Sequence, residues 1–156
     1  MKKPVLVTIF TLLATVFAHA NVTIESTSYQ EQIKTTVEGE KITTWVEAKK
    51  VMPGSVVKYV NMMTNHTKQN ATKLVVNNPI PKNMEFIQGS ASCLEDCTIS
   101  YSVDGGRHFM KASELYIGTK DDEHLAKASE YTNIRWVLSV LNKKSKSSVE
   151  YKARLK

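Results

Sequence analysis

Apolar and polar residues alternate at every second position in several segments of this chain, and this period of two limits the fold more strongly than any other feature. The last such segment, SVEYKARL (residues 148–155), sets four apolar side chains against four polar ones. NIRWVL places Ile134, Trp136 and Leu138 on one face, and QIKTTV (residues 32–37) alternates in the same way. Because successive side chains of an extended strand point to opposite faces, each segment predicts a half-buried β-strand.

Turn-forming residues separate these runs at short intervals, in EGE, PG, PIPKN, DGG and NKKSK. Short strands separated by such turns favour an all-β antiparallel sandwich. The segment VVKYVNMM (residues 56–63) is apolar in both registers, which leaves its inward face open. KDDEHLAKASE (residues 120–130) has helical propensity but no broad apolar face, and it predicts a long loop with one helical turn.

Residues 1–20 have the pattern of a secretory signal peptide. Two lysines precede an uncharged apolar run over residues 5–17, and the small residues of AHA follow it. The run is shorter than the roughly 18 residues that cross a bilayer, which disfavours a membrane anchor. We therefore expect cleavage after Ala20, a single domain over residues 21–156, and no integral membrane span after cleavage.

The net charge of the chain limits the classes of molecule that are expected to bind it. The chain has 156 residues with a formal net charge of +6, and loss of the two signal-peptide lysines lowers it to +4. So mild an excess does not favour nucleic acid, which an exported protein rarely meets. We expect a protein of the periplasm, the cell surface or the medium, whose partner is an envelope or surface protein.

The stretch YSVDGGRHF has three interpretations: a phosphate-binding loop, a calcium loop or a turn. A phosphate loop leads into a helix, and the residues after these glycines have no helical period. A calcium loop needs several oxygen ligands at alternate positions, and Asp104 stands alone. Asp-Gly is favoured where a hairpin needs positive φ, so we expect Asp104 and Gly105 at the tip of a β-hairpin, with Tyr101 and Val103 on one strand face.

Cys93 and Cys97 are the two cysteines, and three residues separate them. Thioredoxin-type and haem motifs need a spacing of two, and a structural zinc site needs four ligands. In the oxidising compartment that export implies, a local disulfide is the default, with a redox or metal role as the alternative. We predict a structural staple between the two cysteines, worth about 2 kcal/mol because the closed loop is short.

Methionine and histidine side chains suggest an alternative function, that of a periplasmic copper-binding protein. Both are suitable copper ligands, and HFM places His108 and Met110 on one strand face. Methionine is more often a core residue, so the primary expectation is a protein without a cofactor or metal. The candidate copper ligands are Met62, Met63, His66, His108 and Met110, with Met84 as a further residue of suitable type.

The remaining short motifs predict no catalytic chemistry. His66, His108 and His124 each lie in a turn-like context, no serine occupies a nucleophile elbow, and no His-Glu-x-x-His is present. We therefore expect a non-catalytic protein. Three asparagines begin glycan acceptor patterns, which matter only in a host that glycosylates: Asn21, Asn65 and Asn70.

Several longer stretches resemble a known family when they are taken in order. PGSVVKYVN (residues 53–61) and NATKLVVNNPIPKNMEFIQGSA (residues 70–91) are followed by YSVDGG with Phe109 and by YTNIRWVL (residues 131–138). Together they resemble the conserved repeat domain, a module of bacterial surface proteins also called domain of unknown function number eleven. The resemblance covers roughly residues 49–155, although this chain has a single copy and the cysteine pair is not a motif of the family.

The resemblance implies an immunoglobulin-like sandwich of exported and surface proteins, often present in tandem copies that form stalks, without catalytic residues. It also places NIRWVL in a core strand, so Trp136 should be buried and Arg135 should point the other way. The predicted molecule is an exported, immunoglobulin-like antiparallel β-sandwich of the cell envelope that acts by binding or scaffolding.

Overall fold

Eleven β-strands and one short 3-10 helix form the part of the chain that the structure describes. The structure is a computed structural model, and it describes residues 22–156. The predicted signal peptide over residues 1–20, its cleavage after Ala20 and the acceptor Asn21 lie outside the described residues. A 3-10 helix spans Ala128–Glu130. The strands are β1 Val22–Thr35, β2 Lys41–Glu47, β3 Val56–Asn65, β4 Ala71–Pro79, β5 Met84–Phe86, β6 Ser92–Cys93, β7 Cys97–Ser102, β8 Tyr116–Ile117, β9 His124–Leu125, β10 Asn133–Leu141 and β11 Lys146–Leu155.

Two antiparallel sheets make up the sandwich. The larger has the order β2-β1-β3-β11-β5, with β6 also paired to β11, and the smaller has the order β4-β10-β7. The chain crosses between these two sheets four times, between β3 and β4, β4 and β5, β6 and β7, and β10 and β11, so neighbours in a sheet come from distant parts of the sequence. β8 and β9 form a separate short pair. This arrangement confirms the predicted all-β fold, an antiparallel β-sandwich.

The core lies between the inner faces of the two sheets. Trp136 of β10 is fully buried, as are the residues two positions before and after it, and its ring centroid lies 6.1 Å from that of Tyr151 in β11. Arg135 points the other way, where its Nε donates a hydrogen bond to Asn77 Oδ1 at 2.8 Å. The alternation in NIRWVL and SVEYKARL therefore predicts the inward faces of β10 and β11 correctly.

The expected apolar face of QIKTTV is not buried. β3 pairs with β1 only as far as Gln30, and from there to Thr35 β1 pairs with β2. The second half of β1 and all of β2 therefore form a two-stranded ribbon (residues 30–47) at the edge of the sandwich. Ile33 is 66% exposed in this ribbon, because no second sheet covers it.

The segment from Lys120 to Glu130 is largely loop, as its sequence predicts. It contains the two-residue strand β9 and one 3-10 turn, in which the Glu130 carboxylate accepts a hydrogen bond from Lys127 N at 2.7 Å. That hydrogen bond lowers the pKa of Glu130. Over residues 22–156, no helix has the length and apolar character needed to cross a membrane.

Candidate binding cleft

The larger sheet extends beyond the smaller one at β1, and this mismatch leaves a strip of the inner face uncovered. Ile24 pairs across the sheet with Met63, so the two side chains share a face. Met63 is completely buried, whereas Ile24 is 47% exposed. The strip continues along β1 through Ser26 and Ser28, and no strand of the smaller sheet covers it.

A cleft of about 280 Å³ opens between this strip and the end of β4. β4 is an edge strand, paired with β10 and with no other described strand. Side chains from four strands and from both sheets therefore meet around one opening. The walls include Ser26, Ser28, Tyr59, Asn61, Asn78 and Tyr151.

Asn61 is the most constrained polar group of the cleft. It is only 3% exposed, and its Oδ1 accepts a hydrogen bond from Ser26 Oγ at 2.6 Å. Its Nδ2 has no hydrogen-bond partner among the described residues. A buried amide without a partner costs about 1–3 kcal/mol, so the wall of the cleft contains an unused hydrogen-bond donor.

Two tyrosines form the aromatic part of the cleft. The rings of Tyr59 and Tyr151 stack at a centroid distance of 4.9 Å. Burial raises the pKa of each hydroxyl above its usual range, so both stay protonated at neutral pH. The Tyr151 hydroxyl donates a long hydrogen bond of 3.4 Å to the carbonyl of Pro79.

The chemistry of the cleft is neutral. Its lining consists of hydroxyl, amide, aromatic, proline and valine side chains, without an acid, a base or a cysteine. Such a surface forms hydrogen bonds and apolar contacts, but it lacks a group that titrates near pH 7 for acid–base catalysis. The arrangement is suited to binding.

One polar residue in the sequence marks this site in advance, although the alternation of apolar and polar residues does not predict the site. Asn61 interrupts the apolar inward register of β3 between Tyr59 and Met63, and Ser26 lies opposite it on β1. A polar residue in a core register indicates either a partner side chain or an opening in the core. Here Asn61 has both, because Ser26 donates to it and the cleft adjoins it.

The loop that contains DGG is wider than the predicted two-residue hairpin. Tyr101 and Met110 exchange two backbone hydrogen bonds of 2.8 and 3.0 Å, so the chain does reverse direction, but eight residues separate the two partners, where a tight hairpin has two. Positive φ occurs at Gly105 and Gly106, whereas Asp104 does not adopt it. The expected face of the incoming strand is confirmed, because Tyr101 and Val103 both pack against the core.

The Asp104 carboxylate explains why the turn is wide. Its Oδ1 accepts hydrogen bonds from Ser102 Oγ and from the backbone N–H groups of Arg107 and His108. Its Oδ2 lies 2.6 Å from His108 Nδ1. The carboxylate therefore holds the loop together from within and acts as a structural group.

The predicted disulfide between Cys93 and Cys97 is present, with a Cα–Cα distance of 6.4 Å. Cys93 ends β6 in the larger sheet, and Cys97 begins β7 in the smaller sheet. The bridge therefore joins the two sheets at the edge opposite the cleft. Its position supports the structural role that the sequence predicts.

The structure does not bring the five candidate copper ligands together. Met63 is a core residue, and its neighbour Met62 points to the opposite face of β3. His66 follows the end of β3, where the preceding residue bonds to the carbonyl of Leu141 at one end of β10.

His108 and Met110 lie at the other end of the sandwich. Met110 pairs with Tyr101, which pairs with Ile134 near the start of β10. The seven-residue step from Ile134 to Leu141 corresponds to roughly 23 Å of strand. Within residues 22–156, no cluster of three or more His, Cys, Asp or Glu side chains has the geometry of a metal site.

The three histidines that the sequence places in turn-like contexts each have one side-chain partner. His66 Nε2 lies 2.9 Å from Thr23 Oγ1, and His124 Nε2 lies 3.4 Å from Glu130 Oε1. His108 contacts Asp104. None of these hydrogen-bond pairs, as the described residues form them, connects a nucleophile, a base and an orienting group in one chain.

Two of the three glycan acceptor asparagines lie within the described residues. Asn65 is 1% exposed, and its amide is fully engaged in hydrogen bonds, so the folded protein does not present it to a glycosylating enzyme. Asn70 is exposed, and its Oδ1 accepts a hydrogen bond from Lys143 N. Asn70 is therefore the accessible acceptor of the two.

Comparison of the chain with protein-family models, with curated proteins and with solved structures finds no match.

Proposed function

We propose that this protein is an exported, non-catalytic module of the cell envelope that acts by binding or scaffolding, and that its binding site is the cleft beside β1. The observation that carries this proposal is the composition of the cleft. Ser26, Asn61 and Tyr151 offer hydrogen bonds and an aromatic surface, and no titratable group near pH 7 accompanies them.

Export is supported by two observations. The pattern of residues 1–20 is that of a signal peptide. The disulfide between Cys93 and Cys97 is consistent with an oxidising compartment such as the periplasm or the medium. The resemblance of residues 49–155 to the conserved repeat domain of bacterial surface proteins supports a place in the envelope.

The partner that fits the cleft is an extended segment of an envelope or surface protein. Hydroxyl and amide side chains such as Ser26 and Asn61 match the N–H and C=O groups of a peptide backbone. β4 adds an unpaired strand edge next to them, which is a common docking element for extended peptides. The absence of charge from the lining favours a neutral segment.

Cross-linking in intact cells, followed by affinity capture, tests this function. The wild-type protein should capture a specific envelope protein, and Ser26→Arg should abolish the capture because the long side chain fills the cleft. Thr98→Arg is the matched control, because it adds the same side chain at an exposed position of β7 on the far edge of the smaller sheet. Equal capture by all three proteins would contradict the proposed site.

A further inference from the structure

β2 is the terminal strand of the larger sheet and has an open edge. It spans seven residues, Lys41–Glu47, and pairs with β1 and with no other described strand. It contains no proline or glycine, and no residue in it has the positive φ of a bulge. Natural edge strands are usually protected by such features, so this edge is available for pairing.

We propose that β2 pairs antiparallel with β2 of a second copy of this chain, about a twofold axis at Thr44, so that the larger sheets of the two copies become continuous. Thr44 then lies opposite Thr44 of the second copy. Lys41 lies opposite Glu47, Ile42 opposite Val46, and Thr43 opposite Trp45. All seven residues of the strand are paired in this register.

Charge complementarity selects this register. The twofold axis creates two pairs of opposite charge, because Lys41 of each copy faces Glu47 of the other, and both residues are exposed in the single chain. A shift of two residues in one direction sets Lys41 opposite Trp45. A shift of two in the other direction sets it opposite Lys49, which places like charges together.

The segments on either side of β2 are also complementary in charge. Exposed Glu38 and Glu40 lie in the turn before the strand, and exposed Lys49 and Lys50 follow it. The same axis brings the acidic turn of one copy to the basic segment of the other. Opposite potentials on facing surfaces favour the correct encounter and disfavour other registers.

The ribbon that contains β2 also lacks cover in the single chain. Ile33 and Ile42 are 66% and 44% exposed, and the ribbon has two strands where it leaves the sandwich. An isolated two-stranded hairpin is marginally stable in water, whereas three or more strands support one another. Pairing of two ribbons gives four strands, and Ile42 gains Val46 of the second copy as an apolar neighbour.

Cysteine cross-linking measures the register directly. Each introduced cysteine is the only free thiol, because the two natural cysteines are joined. In the proposed register the two Thr44 Cα atoms lie about 4.5–5.5 Å apart, within the range of a disulfide. Thr44→Cys should therefore form a covalent dimer under mild oxidation. Thr43→Cys is the control, because its two copies lie roughly 8 Å apart in this register and should not cross-link.

Charge-reversal variants test the same pairing without cysteine. Analytical ultracentrifugation measures their dimer dissociation constants. Lys41→Glu should raise the dimer dissociation constant about tenfold or more, because both pairs become repulsive, and Glu47→Lys should do the same. The double variant Lys41→Glu/Glu47→Lys should restore the wild-type constant. A monomeric wild type, equal cross-linking by both cysteine variants, or failure of the double variant to recover would each overturn the proposal.

Discussion

Asp104 shows how one side chain organises a loop at the scale of the residue. Its carboxylate accepts four hydrogen bonds, foremost from the Ser102 hydroxyl, and these hold its pKa well below the usual range of an aspartate. In the unfolded chain the group has an ordinary pKa of about 3.9. A carboxyl whose pKa is lower in the folded state stabilises the protein above its unfolded pKa, and this stabilisation is lost as pH falls through the folded value.

The pH dependence of stability should therefore reveal Asp104. We expect the urea midpoint of the wild type to fall between pH 5 and pH 2, as an estimate from the ordinary aspartate pKa of about 3.9. Asp104→Asn retains an oxygen acceptor but does not titrate, so its midpoint should fall by less over the same interval. Parallel curves for the two proteins would show that Asp104 does not contribute in this way.

Trp136 is the residue for which sequence and structure agree most directly. Alternation in NIRWVL predicts its burial, and it is fully enclosed between the sheets. Trp136→Ala should reduce the free energy of unfolding by about 3–5 kcal/mol, the range for truncation of large core aromatics. Trp45→Ala is the control, because Trp45 lies half-buried on the outer face beside Lys58 and should cost much less. Equal losses in chemical denaturation would contradict this assignment.

At the scale of the element, the neighbours of a strand determine whether its apolar face is buried. The sequence predicts a strand at QIKTTV, and β1 includes the first four of these residues, but Ile33 is exposed and Val37 lies in the turn that follows. Alternation reports which residues share a face, and it does not report whether a second sheet covers that face. Ile33 lies on the face of β1 opposite to that of Ile24, whose cross-strand partner Met63 faces the core, so the smaller sheet does not cover it. The loop around Asp104 is a second example. The Asp-Gly sequence predicts a two-residue hairpin, but the hydrogen bonds of the Asp104 carboxylate determine the width of the turn.

Asn65 connects two turns at one end of the sandwich. Its Nδ2 donates to the carbonyls of Gln69, Leu141 and Asn142, and its Oδ1 accepts from Thr67. The side chain therefore ties the β3–β4 turn to the β10–β11 turn. The sequence shows Asn65 as a glycan acceptor pattern, and only the tertiary structure shows this connecting role.

Replacement of Asn65 should therefore destabilise the protein. Asn65→Ala leaves buried groups without partners and should cost about 1–3 kcal/mol. Asn65→Asp should cost more at neutral pH, because an oxygen replaces the donor that faces three carbonyls. Asn70→Ala is the matched control at an exposed asparagine. Thermal unfolding of the three variants measures the order, and an Asn70→Ala loss as large as that of Asn65→Ala would contradict the argument.

At the scale of the whole molecule, the unequal width of the two sheets creates the candidate site. Alternation and turn chemistry predict the all-β sandwich, and the spacing of the two cysteines together with the signal-peptide pattern predicts the disulfide, because all of these features are local in the sequence. The cleft depends on which strands lie over which, and local sequence does not encode that relation. Asn61 is the one residue of the lining whose polarity in an apolar register marks the opening in advance.

Site-specific photo-cross-linking in living cells tests the central claim, that the cleft beside β1 binds an envelope protein. A photoreactive amino acid at Ser26 places the probe inside the cleft, and the same amino acid at Thr98 places it on the far edge of the smaller sheet. We predict a discrete adduct with an envelope protein from position 26 and none from position 98. An adduct from position 98 only, or the same adducts from both positions, would contradict the account.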